Sequence, residues 1–412
     1  MLCKVFLPFA LAYFLSYLLR NVNAVVAPHL VQDFQLDAAQ LGSLTSLYFL
    51  GFAAIQIPLG ACLDRFGPVR VQVPLCLLAG LGATTFSFAA SSWQLMAGRL
   101  LIGVGMAAGL VAGLKTIAIS FPKDRVAMMN GCFIALGTLG AVAATAPAEW
   151  GLALVDWRGL FQIFACALLL IACAFLLLVP ALPQSALAPS AHAARLSYRS
   201  LFKDPQFWRL ALLSGLSVGS AWALQGLWAA QWMSDVGGLD RATLVTYLFV
   251  MSLVLSAGAL GLGVAIGFLG RWGVGPSKIL PGMVLLLMAA EFLLTGRHLV
   301  PAVVPWCLVA FMSAGTVATY SITAAVFDRS TLGRVNGAIN LFHIGGACLV
   351  QFAVGFILSR WEATGPGHYP AQAYRVVLVV LISGQAAALI WYLRLAKSDS
   401  APLAPSAEAV RT

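Results

Sequence analysis

A short polar loop near the start of the chain reads Gly60-Ala61-Cys62-Leu63-Asp64-Arg65-Phe66-Gly67-Pro68-Val69-Arg70, with a long apolar segment on each side. The rest of the chain is also poor in charge: 61% of its 412 residues are hydrophobic and 9% are charged. Soluble domains carry roughly 25% charged residues. Because a spanning helix needs roughly 20 apolar residues, the chain has room for about twelve. The composition therefore predicts an all-α integral membrane protein.

A repeat in the sequence relates this loop to a second one 206 residues later, half the chain length. Three stretches agree on that offset: Arg65-Phe66-Gly67 with Arg271-Trp272-Gly273, Asn130-Gly131 with Asn336-Gly337, and Gly140-Ala141 with Gly346-Ala347. A chance match of common small residues is the alternative. The agreement favours a duplicated six-helix unit, with substrate bound near the midplane between two pseudo-symmetric bundles.

Hydropathy places the twelve spans near residues 5–27, 40–61, 71–90, 93–118, 128–148, 159–180, 208–234, 243–267, 278–296, 301–326, 334–358 and 372–395. The predicted domains are an N-terminal six-helix bundle (1–180), a Pro- and Ser-rich cytosolic linker (181–205), a C-terminal six-helix bundle (206–397) and a disordered tail (398–412).

Basic residues are unevenly divided between the two sides of the membrane. Sixteen lysines and arginines fall in loops on one side, whereas the other side has five, namely Arg158, Arg241, Arg297, Arg360 and Arg375. The positive-inside rule then predicts a multi-pass cell-membrane protein with both termini cytosolic. The net charge of +10 is spread over short loops rather than one face, so we expect a lipid bilayer and no nucleic acid as partner.

The loop from Gly60 to Arg70 resembles the GxxxD(R/K)xG(R/K)(R/K) signature of the major facilitator superfamily, and helix count, linker and repeat extend the resemblance over the whole chain. Gly60 would allow close helix approach and Gly67 a tight turn. The resemblance implies that Asp64, Arg65 and Arg70 latch the two halves on the cytosolic side in the outward-facing state. A solvated positive-inside loop is the alternative.

This chain departs from the signature at two points. Val69 stands where a second adjacent cation is usual, and the second copy, around Arg271, lacks the acid. We expect that copy to support topology more than gating.

Arg99 and Arg20 are the most informative of the cations that lie inside predicted spans. The segment from Arg99 to Gly105 looks like the arginine and glycine pattern of the same superfamily, which implies a role in proton or substrate coupling. A structural arginine bonded to backbone carbonyls is the alternative. The segment from Tyr17 to Pro28 is similar to the first helix of organophosphate and organic-anion carriers, where the matching arginine holds the anionic group.

Arg20, with Asn21 and Asn23, is therefore the leading candidate for substrate binding, since a guanidinium binds carboxylate or phosphate bidentately. The organophosphate carriers place a further arginine on the seventh helix, where this chain has Trp222. One arginine suits a monoanion or a solute with an apolar or aromatic body.

Further candidates for the substrate site lie in the later spans: Lys115, Trp222, Gln225, Trp228 and His343. Lys115 either adds positive charge to the cavity or snorkels to the interface. The tryptophans either line the site or anchor the protein at the membrane interface. His343 is either a titrating group or a packing residue with one hydrogen bond.

Chemistry other than transport has no support in the sequence. The chain has no GxxxxGK(S/T) or HExxH motif, and its one GxSxG match, at residues 215–219, lies inside a predicted span rather than at the strand-to-helix turn of a hydrolase elbow. Its cysteines show no metal-ligand spacing, so neither enzyme activity nor a cofactor or metal is expected. Apart from Glu149 and Glu291, no acid lies within a span. We therefore predict a monomeric secondary transporter that moves a small organic anion by proton symport or exchange. The alternatives are efflux of amphipathic compounds and a transport-inactive receptor or assembly factor.

Overall fold

The computed structural model describes residues 2–180, 198–296, 300–327 and 331–398. Within these ranges nine helices are long and apolar enough to span a membrane unbroken, and three further spans are bent pairs of helices, twelve in all. Predictions for residues 181–197, for Arg297 and for residues 399–412 fall outside the described residues.

The first half contains six spans. Their bounds are α1 (Leu7–Asn21 and Asn23–Phe34), α2 (Ala38–Ala54 and Gln56–Phe66), α3 (Pro68–Ser87), α4 (Ser92–Met106 and Gly109–Ser120), α5 (Lys123–Ala143 and Ala146–Leu154) and α6 (Trp157–Leu178).

The second half repeats the arrangement. Its bounds are α7 (Pro205–Ala223, a π-helical turn Leu224–Trp228, then Ala229–Asp235), α8 (Arg241–Gly270), α9 (Pro276–Thr295), α10 (Val303–Met312 and Gly315–Val326), α11 (Leu332–Leu358) and α12 (Ala371–Ser398).

Three spans predicted as single helices are bent, by 47° in α1, 44° in α2 and 48° in α5. Hydropathy measures the length of an apolar run and carries no information on its direction, so it cannot reveal these breaks. The predicted linker also differs in part, because a short helix occupies Tyr198–Leu201 and α7 begins at Pro205. The last helix continues to Ser398, one residue into the predicted tail.

The 206-residue repeat is visible in the backbone. Gly67 and Gly273, paired by the offset, both adopt positive φ, 82° and 75°, a conformation that glycine takes without steric cost. A Cβ atom on Gly140 would lie 2.0 Å from the carbonyl oxygen of Phe14 in α1, and one on Gly346 would lie 2.1 Å from that of Gly215 in α7. The paired glycines therefore make the same helix contact in both halves.

The two halves meet through α1, α2 and α5 on one side and α7, α8 and α11 on the other. A Cβ atom on Gly42 of α2 would lie 2.7 Å from the Gln351 carbonyl oxygen of α11. The Ser256 hydroxyl of α8 donates to the Thr138 carbonyl of α5 at 3.4 Å. These crossings leave a cavity between the halves.

Substitution of Gly346 should push α11 away from α7, whereas substitution of the neighbouring Gly345 should not. We expect Gly346→Ala to lower the free energy of unfolding by about 1–3 kcal/mol, because the added methyl overpacks α11 against α7. A Cβ on Gly345 meets nothing within 4 Å, so Gly345→Ala is the matched control and should be neutral or slightly stabilising. Melting temperatures in detergent measure both, and equal values for the two variants would contradict the assignment.

Candidate functional site

The cavity between the halves has a volume of about 120 Å³ and is lined by α1, α2, α4 and α5 together with α7, α8, α10 and α11. Seven aromatic side chains form much of its wall: Tyr13, Tyr17, Tyr48, Phe49, Phe52, Trp222 and Tyr320. Its polar lining groups are Ser16, Arg20, Thr138, Ser313, Thr316 and Asn340. Among the described lining residues there is one cation and no acid.

Arg20 is that cation, and aromatic rings from both halves hold it. Its guanidinium carbon lies 4.0 Å from the ring centroid of Tyr17 and 4.7 Å from the ring centroid of Trp222. Such contacts attract a cation to the ring face. No carbonyl or carboxylate of the described residues accepts a hydrogen bond from Arg20, so its N–H groups remain available to a ligand.

At the break in α1, a side chain from α4 binds the backbone next to Arg20. A helix end leaves backbone carbonyls without partners, and the fully buried Arg99 donates from Nη1 to one of them, the Leu19 carbonyl, at 2.8 Å. The Arg99 guanidinium carbon also lies 4.9 Å from the Phe86 ring centroid and 5.3 Å from that of Phe161. Arg99 therefore fixes the backbone next to Arg20 and does not line the cavity.

Four predicted site residues form a polar layer beside the cavity rather than its wall. Asn21 donates to the Tyr17 carbonyl at 2.8 Å, and Asn23 donates to the Thr45 hydroxyl at 3.0 Å. Gln225 accepts from the Ser313 hydroxyl at 3.4 Å. Trp228, in the same π-helical turn as Gln225, is 2% exposed. None of the four lines the cavity, although π-helical turns of this kind are frequent at functional sites.

His343 also lies behind the wall. It is fully buried, and its ring centroid is 5.9 Å from that of Trp222 and 6.2 Å from that of Tyr320. Neither ring nitrogen has a hydrogen-bond partner in the described part of the chain. The structure thus places His343 in contact with two lining rings but outside the cavity.

Lys115 lies away from Arg20 and belongs to the polar loop instead. Its ammonium group contacts Asp64 Oδ1 at 2.6 Å and the Leu63 carbonyl oxygen at 2.9 Å. Arg65, Arg70 and Arg271 are exposed. A Cβ on Gly60 would meet nothing within 4 Å, so the close helix approach expected at Gly60 does not occur in this conformation.

The opposite end, predicted to face outward, is closed by contacts between the halves. Arg241 of α8 binds Glu149 of α5 bidentately, at 2.8 and 2.6 Å, and also donates to the Val25 carbonyl of α1. The Tyr369 hydroxyl accepts from the Ala38 backbone N–H, at the start of α2, at 2.8 Å. Burial raises the pKa of Tyr369, so this hydroxyl stays neutral.

Of the eight residues predicted to bind substrate, Arg20 and Trp222 are the two that the structure brings together in the cavity wall. Sequence reasoning missed Tyr13 and Asn340. The spacing Tyr13, Tyr17, Arg20 could have identified Tyr13, because residues three and four apart share one helix face. Asn340 gave no such signal, and its role follows from the packing of α11.

The arrangement consists of a cavity between two related helical bundles that are joined at one end. The profile of the Major Facilitator Superfamily matches residues 9–342 of the chain. The chain belongs to the major facilitator superfamily. The predicted fold of twelve helices in two pseudo-symmetric bundles is confirmed, and the protein is a multi-pass secondary transporter rather than an enzyme.

Individual members differ in their cargo. The chain is 26% identical to a probable L-galactonate transporter of Escherichia coli, covering 93% of this chain and 86% of that protein. It is 23% identical to a multidrug resistance protein of Escherichia coli, covering 92% of each. A nitrate/nitrite transporter of Picosynechococcus is 32% identical over 37% of this chain, and the chain spans only 28% of its length.

The fold is also similar to solved structures. A bacterial homologue of the human lysosomal transporter Spinster, crystallised in an inward-facing and unoccupied conformation, superposes with a TM-score of 0.76 at 20% identity and covers 96% of each chain.

Loss of the Arg241–Glu149 pair should loosen the closed end. The pair is partly exposed, so we expect Glu149→Gln to weaken closure by about 1 kcal/mol. A cysteine introduced by Ser234→Cys lies in the vestibule of about 700 Å³ beside this pair. A membrane-impermeant maleimide should label it about fivefold faster in the Glu149→Gln background. Glu362→Gln, a change at an exposed residue, is the control; equal labelling in both backgrounds would contradict the assignment.

The Asp64–Lys115 pair should affect cycling and not binding, because it lies outside the cavity. We expect Asp64→Asn to lower the transport rate about tenfold, the loss expected when one charge-assisted contact is missing, with ligand affinity unchanged. Transport rates in proteoliposomes and equilibrium binding measure the two quantities separately. A parallel fall in affinity would show that Asp64 contacts the ligand.

Proposed function

We propose that the protein takes up a small organic monoanion with an apolar or aromatic body, by alternating access, with Arg20 binding the anionic group. The observation that supports this most directly is Arg20 itself: an arginine midway along the membrane span α1, held between two rings, with no hydrogen-bond partner among the described residues. An unpaired charge at that depth is costly. A bound anion would compensate it.

The charge of the substrate follows from the charge of the wall. Lys115 is paired with Asp64, and Arg99 is bonded to backbone behind α1. Arg20 is thus the single cation of the described wall, which matches one carboxylate better than a phosphate ester or a dicarboxylate.

The body of the substrate follows from the rest of the wall. Most of the lining surface is apolar, and its polar groups are the Arg20 guanidinium, the Asn340 amide and eight hydroxyls, four of which belong to tyrosine rings. A sugar acid with many hydroxyl groups would leave hydrogen bonds unmade in such a site. The relative named for L-galactonate supports an organic acid as cargo, and the apolar wall favours an aromatic or branched monocarboxylate over a polyol.

The transport cycle uses the closed end described above. With Arg241 bound to Glu149, the cavity is sealed on the predicted outer side, which corresponds to an inward-facing state. Rocking of the two bundles would break these contacts and bring the Gly60 loop toward the other half. The described wall holds no acid to carry a proton, which favours exchange over symport. A pH-gradient dependence of uptake distinguishes the two.

The location in the cell membrane, the cytosolic termini and linker, and the monomeric state are part of the same proposal. The orientation rests on the distribution of basic residues among the loops. Labelling of single-cysteine variants on each side of intact cells tests the orientation.

Export of amphipathic compounds is a second candidate, favoured by the apolar cavity wall and by the relative named for multidrug resistance. Transport of neutral dyes that is indifferent to Arg20→Ala would support export. A transport-inactive receptor would keep its cellular phenotype when Asp64 and Arg99 are both substituted, since neither position would then need to serve a transport cycle.

Removal of the Arg20 charge should abolish selection for anions. Because a hydrogen bond to a charged group contributes about 1.5–3 kcal/mol, Arg20→Ala should weaken binding of an aromatic monocarboxylate such as benzoate about tenfold to hundredfold. Arg20→Lys should recover part of it, since a lysine keeps the charge but not the bidentate geometry.

The matched control is Trp222→Phe, which keeps a ring over Arg20. Uptake of labelled benzoate, gluconate and a neutral dye into proteoliposomes should rank benzoate first for the wild type. Equal uptake of the three compounds, or no effect of Arg20→Ala on benzoate, would rule out the anion proposal.

A further inference from the structure

A buried carboxyl group lies in the second half, away from the cavity. Glu291 of α9 is 0% exposed; the other acidic side chain buried to this degree among the described residues, Asp235, is 1% exposed and paired with His368. Glu291 lies one helical turn before the end of α9 at Thr295 and does not line the cavity. Glu291 belongs neither to the closed end around Arg241 and Glu149 nor to the proposed substrate site.

One side chain contacts this carboxyl group. Gln385 of α12, also 0% exposed, donates from Nε2 to Glu291 Oε1 at 2.9 Å. The other carboxyl oxygen, Glu291 Oε2, has no hydrogen-bond partner among the described residues, and neither does the amide oxygen of Gln385. Two buried acceptors on paired side chains therefore both lack a donor.

Charged groups do not compensate Glu291. The helices packed against α9 are α7, α8, α10 and α12. α10 carries no acidic, basic or histidine residue, α8 carries only Arg241 at its first position, and α7 has Arg209 near its start and Asp235 at its end. On α12, Arg375 donates from Nε to the Thr295 carbonyl at 3.0 Å, at the end of α9, rather than to Glu291, and Arg394 and Lys397 lie at the opposite end of that helix, beyond Gln385. None of the ion pairs of the described residues includes Glu291.

One proton on Glu291 would supply the hydrogen-bond donor that these two oxygens lack. A proton on Oε2 converts Glu291 to a neutral carboxylic acid whose O–H can donate to the Gln385 amide oxygen, while the amide N–H donates back to Oε1. This cyclic acid–amide pair satisfies both orphan acceptors and removes a charge that burial disfavours. We propose that Glu291 binds a proton and shares it with Gln385, as a proton site separate from the substrate cavity.

The position of the site decides what the proton does. All four helices packed against α9 belong to the second half, so the surroundings of Glu291 move as one body when the halves rock. The pair is not exposed alternately to the two sides of the membrane. The proton therefore stays bound through the cycle and joins α9 to α12, and it is not the coupling ion of a symport.

Infrared spectroscopy of the purified full-length protein tests the site without any substrate. At pH 7, where exposed carboxyls are ionised, the wild type should show the carbonyl stretch of an un-ionised carboxylic acid, shifted in D₂O. Glu291→Gln should lack that band, and Glu362→Gln, at an exposed acid, should retain it. A wild-type spectrum without a band that depends on Glu291 would overturn the proposal.

Stability measurements test the pairing. Glu291→Gln should keep the wild-type melting temperature, because the introduced amide can make both bonds. Glu291→Leu should lower it by about 3 °C or more, since Gln385 is left without partners. The double variant Glu291→Gln/Gln385→Glu exchanges the two groups and should restore both the melting temperature and the infrared band. A double variant as unstable as Glu291→Leu would overturn the pairing.

A transport measurement tests the structural role of the proton. Uptake by Glu291→Gln should match the wild type in rate and in its dependence on pH. Loss of gradient-driven accumulation with exchange retained would assign Glu291 to coupling and overturn the structural role. Because the infrared test uses no substrate, failure of the anion proposal and failure of the proton proposal are distinguishable.

Discussion

The bilayer has no water to offer to polar groups, and the architecture of this protein follows from that constraint. Wherever a helix breaks or a charge enters the membrane, another part of the chain must provide the missing partner. The break in α1 frees the Leu19 carbonyl, and Arg99 binds it. In the second half, Gln351 of α11 donates to the Ala223 carbonyl at 2.9 Å, where α7 enters its π-helical turn. Of the cations Arg20, Arg99 and Lys115, Arg20 is the one without a hydrogen-bond partner among the described residues, and it lines the cavity.

The internal duplication explains why the candidate substrate site lies where α1 of the first half meets α7 of the second. The equivalent glycines Gly140 and Gly346 meet the carbonyls of Phe14 in α1 and Gly215 in α7, so these two helices correspond at an offset of 201 residues. Arg20 then corresponds to Ala221, next to Trp222, whose ring centroid lies 4.7 Å from the Arg20 guanidinium carbon. One half therefore supplies the cation of the cavity wall and the other supplies an aromatic ring beside it. Two arginines would repel each other at this contact.

Much of the fold was predictable because it depends on features that can be read from short stretches of sequence. Apolar runs are counted along the chain, Gly67 and Gly273 report positive φ directly, and the repeat appears as matched residues. In α2 and α5 the first helical segment ends four residues before Pro58 and Pro147, where a proline ring clashes with the helix backbone, so the sequence carries a signal for these two bends that hydropathy does not use. The break in α1 at Val22 has no proline four residues after it. The candidate site divides in the same way. Arg20 is conspicuous in an apolar segment, but the separation of Asn23, Gln225 and Trp228 from the cavity depends on side-chain directions that periodicity over a broken helix does not provide. Lys115 was expected near Arg20 or at the interface, and its pairing with Asp64 required the packing of α4 against α2.

The aromatic rings around Arg20 also affect how fast an anion can be captured and released. A free arginine side chain loses about 2 kcal/mol of rotamer entropy when it is immobilised. Between Tyr17 and Trp222 much of that freedom is already lost before a ligand arrives, and the ring faces exclude part of the water that would otherwise hydrate the guanidinium. Trp222 belongs to the half that moves relative to Arg20. As the halves rotate, one ring would slide off the cation and water would reach it, so release can be timed by rehydration of a single side chain without any change in the ligand itself.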